Sequence, residues 1–321
     1  MLELALKAQT LQNQNSTRLT MSLKQFARAL HSTPPQQFLF KKATKHLANT
    51  APKEYTQFQL KTPCGLAEPP KHNIHYHEGN SMKEMFDDKK TAERTKELEK
   101  EFQQSGFHDL YAFEKTKGKL FFSPPQYWKK SYSKYFPHMV GQQLSTKKEN
   151  VSVEDSMRGK VTVLKMCGNK VGEDMINTFF IKDTDNYLQD PEKILNQLNS
   201  DQSSVKDNGA TSNTGAIAQV PAQIVEINLI DNAMKSFLFK FFGNNLSKMV
   251  PEQRQDKYFI CNRNQLPFGK REAINTNNVY SGYVFVIDPS LKIRWMACGS
   301  ASSEEFETLW NSVQAIQKET L

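Results

Sequence analysis

Cysteine is scarce in this chain, and no two cysteines stand close together. The 321 residues hold four, Cys64, Cys167, Cys261 and Cys298, so an attacking thiolate has no neighbouring thiol to resolve a mixed disulfide. Long apolar runs are missing too. Phe237-Leu238-Phe239 is interrupted by Lys240, far short of the ~20 apolar residues that cross a bilayer, and an integral membrane protein is not expected. There is no serine nucleophile elbow and no His-Glu-x-x-His helix, and Gly168-Asn169-Lys170-Val171-Gly172 lacks the length and the Lys-Ser/Thr ending of a phosphate-binding loop. Cys64, His72, His75 and His77 are near neighbours, but their spacing matches no zinc module. Pro63, Gly65, Pro69 and Pro70 around them read as a flexible loop, so no metal or other cofactor is expected. The net charge of +8 is not concentrated in a basic run interleaved with stacking aromatics, which argues against nucleic acid as a partner.

What is present begins with an acid-poor N-terminus. Met1 to Thr50 carries seven Lys or Arg residues against one acid, Glu3, with scattered Ser and Thr and an amphipathic segment built on Leu23, Phe26, Ala27 and Leu30. This composition reads as a mitochondrial transit peptide with a disordered tail over residues 1–45. Arg28-Ala29-Leu30-His31-Ser32-Thr33 resembles a two-step processing site, which places the mature start near Phe38. Residues 46–131 form a charged helical and extended region. Asp87 to Gln104 reads as a solvated helix with Glu97 and Lys100 at i,i+3 and a narrow stripe of Leu98 and Phe102. Gly118 to Pro125 and Tyr127-Trp128-Lys129-Lys130 follow as an extended strap across the domain surface.

The remainder, 132–321, alternates strands and helices. Lys160 to Met166 and Ile224 to Ile230 are β-branched strands, and Tyr283 to Ile287 and Lys292 to Ala297 form a hairpin around Asp288-Pro289-Ser290. A helical run through Met175, Ile176, Phe179 and Phe180 follows the first strand. Asp231 caps a second helix carrying Met234, Phe237, Leu238 and Phe241, and Ser302 to Glu305 is a capping box opening a third with Phe306, Leu309, Trp310, Val313 and Ile316. The order β-α-β-α-β-β-α is that of an α/β, thioredoxin-like domain with the hairpin as an antiparallel edge. Residues 200–215 read as a disordered polar insertion. At the turn where a thioredoxin-type enzyme keeps a cysteine pair this chain has Cys167 alone, and Ser281-Gly282 stands where a proline normally precedes the third strand. The expectation is a non-enzyme; the alternative is a thiol peroxidase or oxidoreductase using Cys167.

Glu97 to Leu110 with Gly118-Lys119-Leu120-Phe121, then Tyr135-Phe136-Pro137 to Gly141, then Tyr280-Ser281-Gly282-Tyr283-Val284 through Ile287-Asp288 and Ile293-Arg294-Trp295 to Gly299 together resemble the thioredoxin-like assembly factors of the mitochondrial ATP synthase Fo sector. That resemblance implies a peripheral protein on the matrix side of the inner membrane. There it would bind newly made subunit a (subunit 6) and help it join the ring of c subunits, with no catalytic residue carried over. An inactive domain of this type keeps a groove for an extended or helical partner. Tyr280, Tyr283, Arg294 and Trp295 fall in the region of that groove. Phe239 and Phe242 lie off the core stripe of the second helix, either as exposed anchors for a membrane subunit or bilayer, or buried against the strap.

Overall fold

The computed structural model describes residues 55, 57–72, 74, 76, 86–103, 108–200, 220–230 and 247–319. Strand β1 (Phe58–Gln59) precedes helices α1 (Asp88–Gln103) and α2 (His108–Thr116). Next come strands β2 (Phe121–Phe122), β3 (Lys134–Tyr135), β4 (Val140–Gln143) and β5 (Val151–Ser152), then α3 (Val153–Met157), β6 (Val161–Cys167) and α4 (Lys170–Asn177). A small hairpin, β7 (Ile181–Lys182) and β8 (Asp185–Asn186), leads to α5 (Pro191–Ser200), β9 (Ala222–Ile230), α6 (Glu252–Gln255), β10 (Tyr258–Asn262) and α7 (Phe268–Ala273). The chain then runs through β11 (Tyr283–Ile287) and β12 (Lys292–Cys298) to α8 (Ser303–Lys318).

Every residue of β6 is buried, as its near-continuous apolar run requires of a central strand. It pairs in parallel with β9 and antiparallel with β11, which in turn pairs with β12. The spatial order β12-β11-β6-β9, with α4 following β6 and α8 closing the chain, is the thioredoxin-like arrangement expected from the sequence. The full sheet is wider, running β3-β12-β11-β6-β9-β10-β4-β5. The hairpin is therefore not the edge. Strand β3 pairs outside β12, and β10 adds another parallel strand beside β9. These additions are short or polar, as Val140-Gly141-Gln142-Gln143 of β4 shows, and carry little period-2 signal.

Alternation along β11 divides the core. Phe285 and Ile287 pack with Phe121, Phe136, Met139 and Phe259 on one face. Val284 and Val286 pack with Phe179, Trp295, Leu309, Trp310 and Val313 on the other, where each fully buried large side chain contributes ~1.5–3 kcal/mol. The capping box forms as expected, with Glu305 N donating to Ser302 Oγ (3.2 Å) and Ser302 N to Glu305 Oε2 (3.1 Å). The strap also lies on the domain: Trp295 Nε1 donates to Pro124 O (2.8 Å) and Trp128 N to Arg294 O (2.7 Å). On α1, Glu97 pairs with Arg94 at 3.0 Å. The transit segment, residues 201–215 of the polar insertion, and the helix expected after Asp231 with Phe239 and Phe242 lie outside the described residues. No helix among the described residues is long and apolar enough to cross a membrane.

Candidate functional site

Strand β6 delivers Cys167 to the start of α4, where Asn169 is the N-cap and its Oδ1 accepts from Gly172 N at 2.8 Å. The same side chain donates through Nδ2 to Val279 O at 2.5 Å, fastening the helix start to the loop that enters β11. That loop is folded on Asn278, whose Oδ1 accepts from Tyr280 N (2.9 Å) and Ser281 N (3.3 Å). Two glycines let the backbones cross. A Cβ on Gly172 would stand 2.9 Å from Gly282 N, and one on Gly282 would stand 2.4 Å from Gly172 O.

Helix α2 is pinned to the same loop. Asn278 Nδ2 donates to Asp109 O (2.7 Å), Val279 N to Asp109 Oδ2 (3.1 Å), and Ser281 Oγ to Gly118 O (3.1 Å). Three apolar side chains are left in solvent at this rim, beside the exposed Lys170–Asp174 ion pair (2.7 Å): Val171 is 51% exposed, Leu110 40% and Tyr280 37%, with the Tyr280 ring 6.0 Å from Phe113. For a well-packed domain these are large exposed side chains around one loop crossing.

Cys167 sits beneath this rim and is buried. Burial pushes its thiol up from an ordinary value near 9 to about 12; Glu173 and Glu226 reinforce the rise, while Lys165 and Lys170 oppose it. The N-terminus of α4 favours a thiolate, but desolvation wins. Nor is Lys165 free to activate the sulfur. Its buried ammonium lies 3.1 Å from Glu226 Oε2 and 3.2 Å from Glu173 Oε1, and Arg254 Nε donates to the other Glu226 oxygen at 2.7 Å. This charge network joins β6, β9, α4 and α6. The four cysteines are free and buried, and burial lifts the Cys64 and Cys298 thiols to about 12 as well. Cys64 packs its Sγ 3.0 Å from Met296 Sδ, whereas His72 faces Asp155 at 3.7 Å. The sequence cluster around Cys64 is thus split, with His75 and His77 outside the described residues.

Of the residues expected to share a groove, Tyr280 alone reaches solvent here. Tyr283 is enclosed, its hydroxyl donating to Asn278 O at 3.0 Å. Trp295 is enclosed on the opposite face of the sheet. Arg294 is buried at the far end of the hairpin, where the register Val286↔Trp295 and Ile287↔Ile293 leaves it as an extra, bulged residue. Strand alternation and the bulge scatter side chains that are close in sequence. Val171, Leu110, Asn169 and Gly172 were not anticipated, although an Asn one residue before a helix start and three before a glycine is a readable cap.

The family model described as ATP10 protein matches residues 45–316. The chain is similar to the mitochondrial ATPase complex subunit ATP10 of Candida glabrata, 44% identical over 275 residues that cover 86% of this chain and 90% of that one. It is similar to the protein of the same name from Saccharomyces cerevisiae, 39% identical over 287 residues, 89% of this chain and 96% of that one. Among solved structures, a putative thiol:disulfide interchange protein DsbE from Chlorobium tepidum aligns with 58% of this chain and 96% of its own, at 14% identity and a TM-score of 0.30. The span of the family match and the identity to these two relatives show that the chain belongs to the ATP10 protein family.

Proposed function

We propose that this chain is a non-enzymatic assembly chaperone for the membrane (Fo) sector of the mitochondrial ATP synthase. It binds newly made subunit a and promotes its association with the ring of c subunits, working as a peripheral protein on the matrix side of the inner membrane. Family membership supports the ATPase context. The observation that carries the mechanism is the Cys167 turn: the position of a redox thiolate holds one buried thiol raised to about 12, under a solvent-facing rim of Val171, Tyr280 and Leu110.

The rim holds an apolar segment of subunit a until that segment packs elsewhere, and a desolvated aromatic such as Tyr280 can anchor ~2 kcal/mol of binding. Tyr283, Arg294 and Trp295 support the loops from inside. Phe239 and Phe242 are proposed as further anchors. In this scheme residues 1–45 address the protein, 46–131 brace the domain, and 132–321 bind.

The test is capture from solubilised mitochondria with a tagged full chain, read for subunit a. Recovery of subunit a above a mock tag supports the reading. A complex without any ATPase component overturns it, and a disulfide-linked partner trapped on Cys167 redirects it to the thiol-enzyme alternative.

A further inference from the structure

A second surface lies away from the Cys167 turn, where the strap runs beside α8. Between them is a cleft of about 1350 Å³ that continues into another of about 860 Å³, the two sharing Pro125, Gln126, Tyr127, Lys129 and Thr308. At their junction the strap makes a braced turn. Tyr132 N and Ser133 N donate to Lys129 O (3.0 and 3.1 Å), Lys292 Nζ to Lys130 O (2.8 Å), and Arg294 Nε to Trp128 O (2.7 Å). This rigid turn holds Tyr132 at 72% exposure, and Phe122, 45% exposed, lines the same cleft.

The charge here is one-sided. Lys119 and Glu305 pair with each other, and Glu319 is taken by Arg294. That leaves Lys61, Lys117, Lys129 and Lys130 lining the clefts with no ion-pair partner among the described residues, against Glu304. Aromatics beside lysines on one face are the composition of a membrane interface, where rings settle at headgroup depth and ammonium groups meet anionic lipid.

We propose that the strap turn and the cleft mouth, the exposed Phe122 and Tyr132 with Lys61, Lys117, Lys129 and Lys130, form a docking face for a bilayer bearing anionic phospholipid. The inference goes beyond the proposed chaperone role by naming the face turned to the membrane. It is tested on lipid alone, so its failure is distinguishable from failure of the subunit a reading.

The experiment is flotation of the full chain with phosphatidylcholine vesicles, with and without phosphatidylglycerol. The chain floats with the anionic vesicles and not the neutral ones, and added salt releases it. Each lysine at an anionic surface is worth roughly fivefold, so Lys129→Glu, Lys130→Glu and Tyr132→Ser combined lower binding at least tenfold. Lys147→Glu with Lys148→Glu, the same charge change on the β4–β5 turn, leaves flotation in place. Equal loss in both variants, equal flotation with neutral vesicles, or no flotation overturns the proposal. So does a triple variant that loses only ATPase partners in detergent, an outcome that assigns the face to an acidic protein segment. Should the triple variant melt early, Tyr132→Trp gives a second reading: the emission it adds over that of the parent chain with Trp128, Trp295 and Trp310 moves to the blue with anionic vesicles, and an unmoved difference overturns the docking face.

Discussion

At the end of the hairpin where β11 begins, side chains are left in solvent around a backbone crossing; at the other end, a buried arginine is held by two carboxylates and braces the strap. Tyr280 and Val171 rim the first end, over the contact of Gly172 with Gly282. At the second, buried Arg294 spans Asp288 (3.5 Å) and Glu319 (2.7 Å), stacks its guanidinium 5.4 Å from the Tyr127 ring, and holds the strap through Trp128. The contrast separates a place built to hold the domain shut from a place left open for a partner. It also explains why the charged and aromatic residues of one short sequence block do different jobs.

The largest expected effect comes from breaking the closed end. Arg294→Ala leaves Asp288 buried without its cation and removes the side-chain bond to Trp128 O, at a cost of ~3–5 kcal/mol, read as a large drop in melting temperature and in cellular abundance. An unchanged melt would mean that the charge cluster is dispensable. At the open end, Gly282→Ala drives a methyl into Gly172 O and the Ile176 side chain, and overpacking of this kind costs ~1–3 kcal/mol. Because it shifts α4 against the loop, it should weaken partner capture in whatever protein remains folded.

Legibility in the sequence follows the same division. The strands β6, β9, β11 and β12 and the capping box of α8 were readable because full burial demands long β-branched runs and a helix start demands a cap. Strands β3, β4 and β5 were not, since strands of two to four residues at the sheet's margins are defined by their neighbours rather than by their own pattern. Five-residue β10, Tyr258–Asn262, was apolar enough to read but too short to separate from a buried helix segment. At the site, Cys167 and Tyr280 stood out as residue types. That Tyr283 and Trp295 face opposite layers depended on register, and the bulge at Arg294 leaves no mark in composition.

A smaller effect sharpens the chemistry of the open end. With its thiol raised from near 9 to about 12, Cys167 should be alkylated by iodoacetamide at pH 8 at least ~10-fold more slowly than a free cysteine, the lost thiolate fraction outweighing the greater nucleophilicity of a more basic thiolate. The sign for stability follows: the stabilising contribution of the protonated thiol is complete below pH ~9 and is lost as pH rises from about 9 to about 12, so the melting temperature should fall across that window. Rapid labelling at pH 8 in folded protein would show that the thiol is reachable.

The central claim, that the open end binds a partner and performs no thiol chemistry, is tested most directly by comparing two variants in one strain background. Tagged full chains carrying Cys167→Ser or Val171→Asp with Tyr280→Asp are measured for abundance, melting, respiratory growth and recovery of subunit a. The account predicts that Cys167→Ser grows and retrieves subunit a nearly as wild type does, while the double substitution stays folded, within ~1 kcal/mol of wild type because both positions face solvent, and retrieves little. A Cys167→Ser strain that fails to respire at normal protein levels, beside a double variant that still retrieves subunit a, would contradict it.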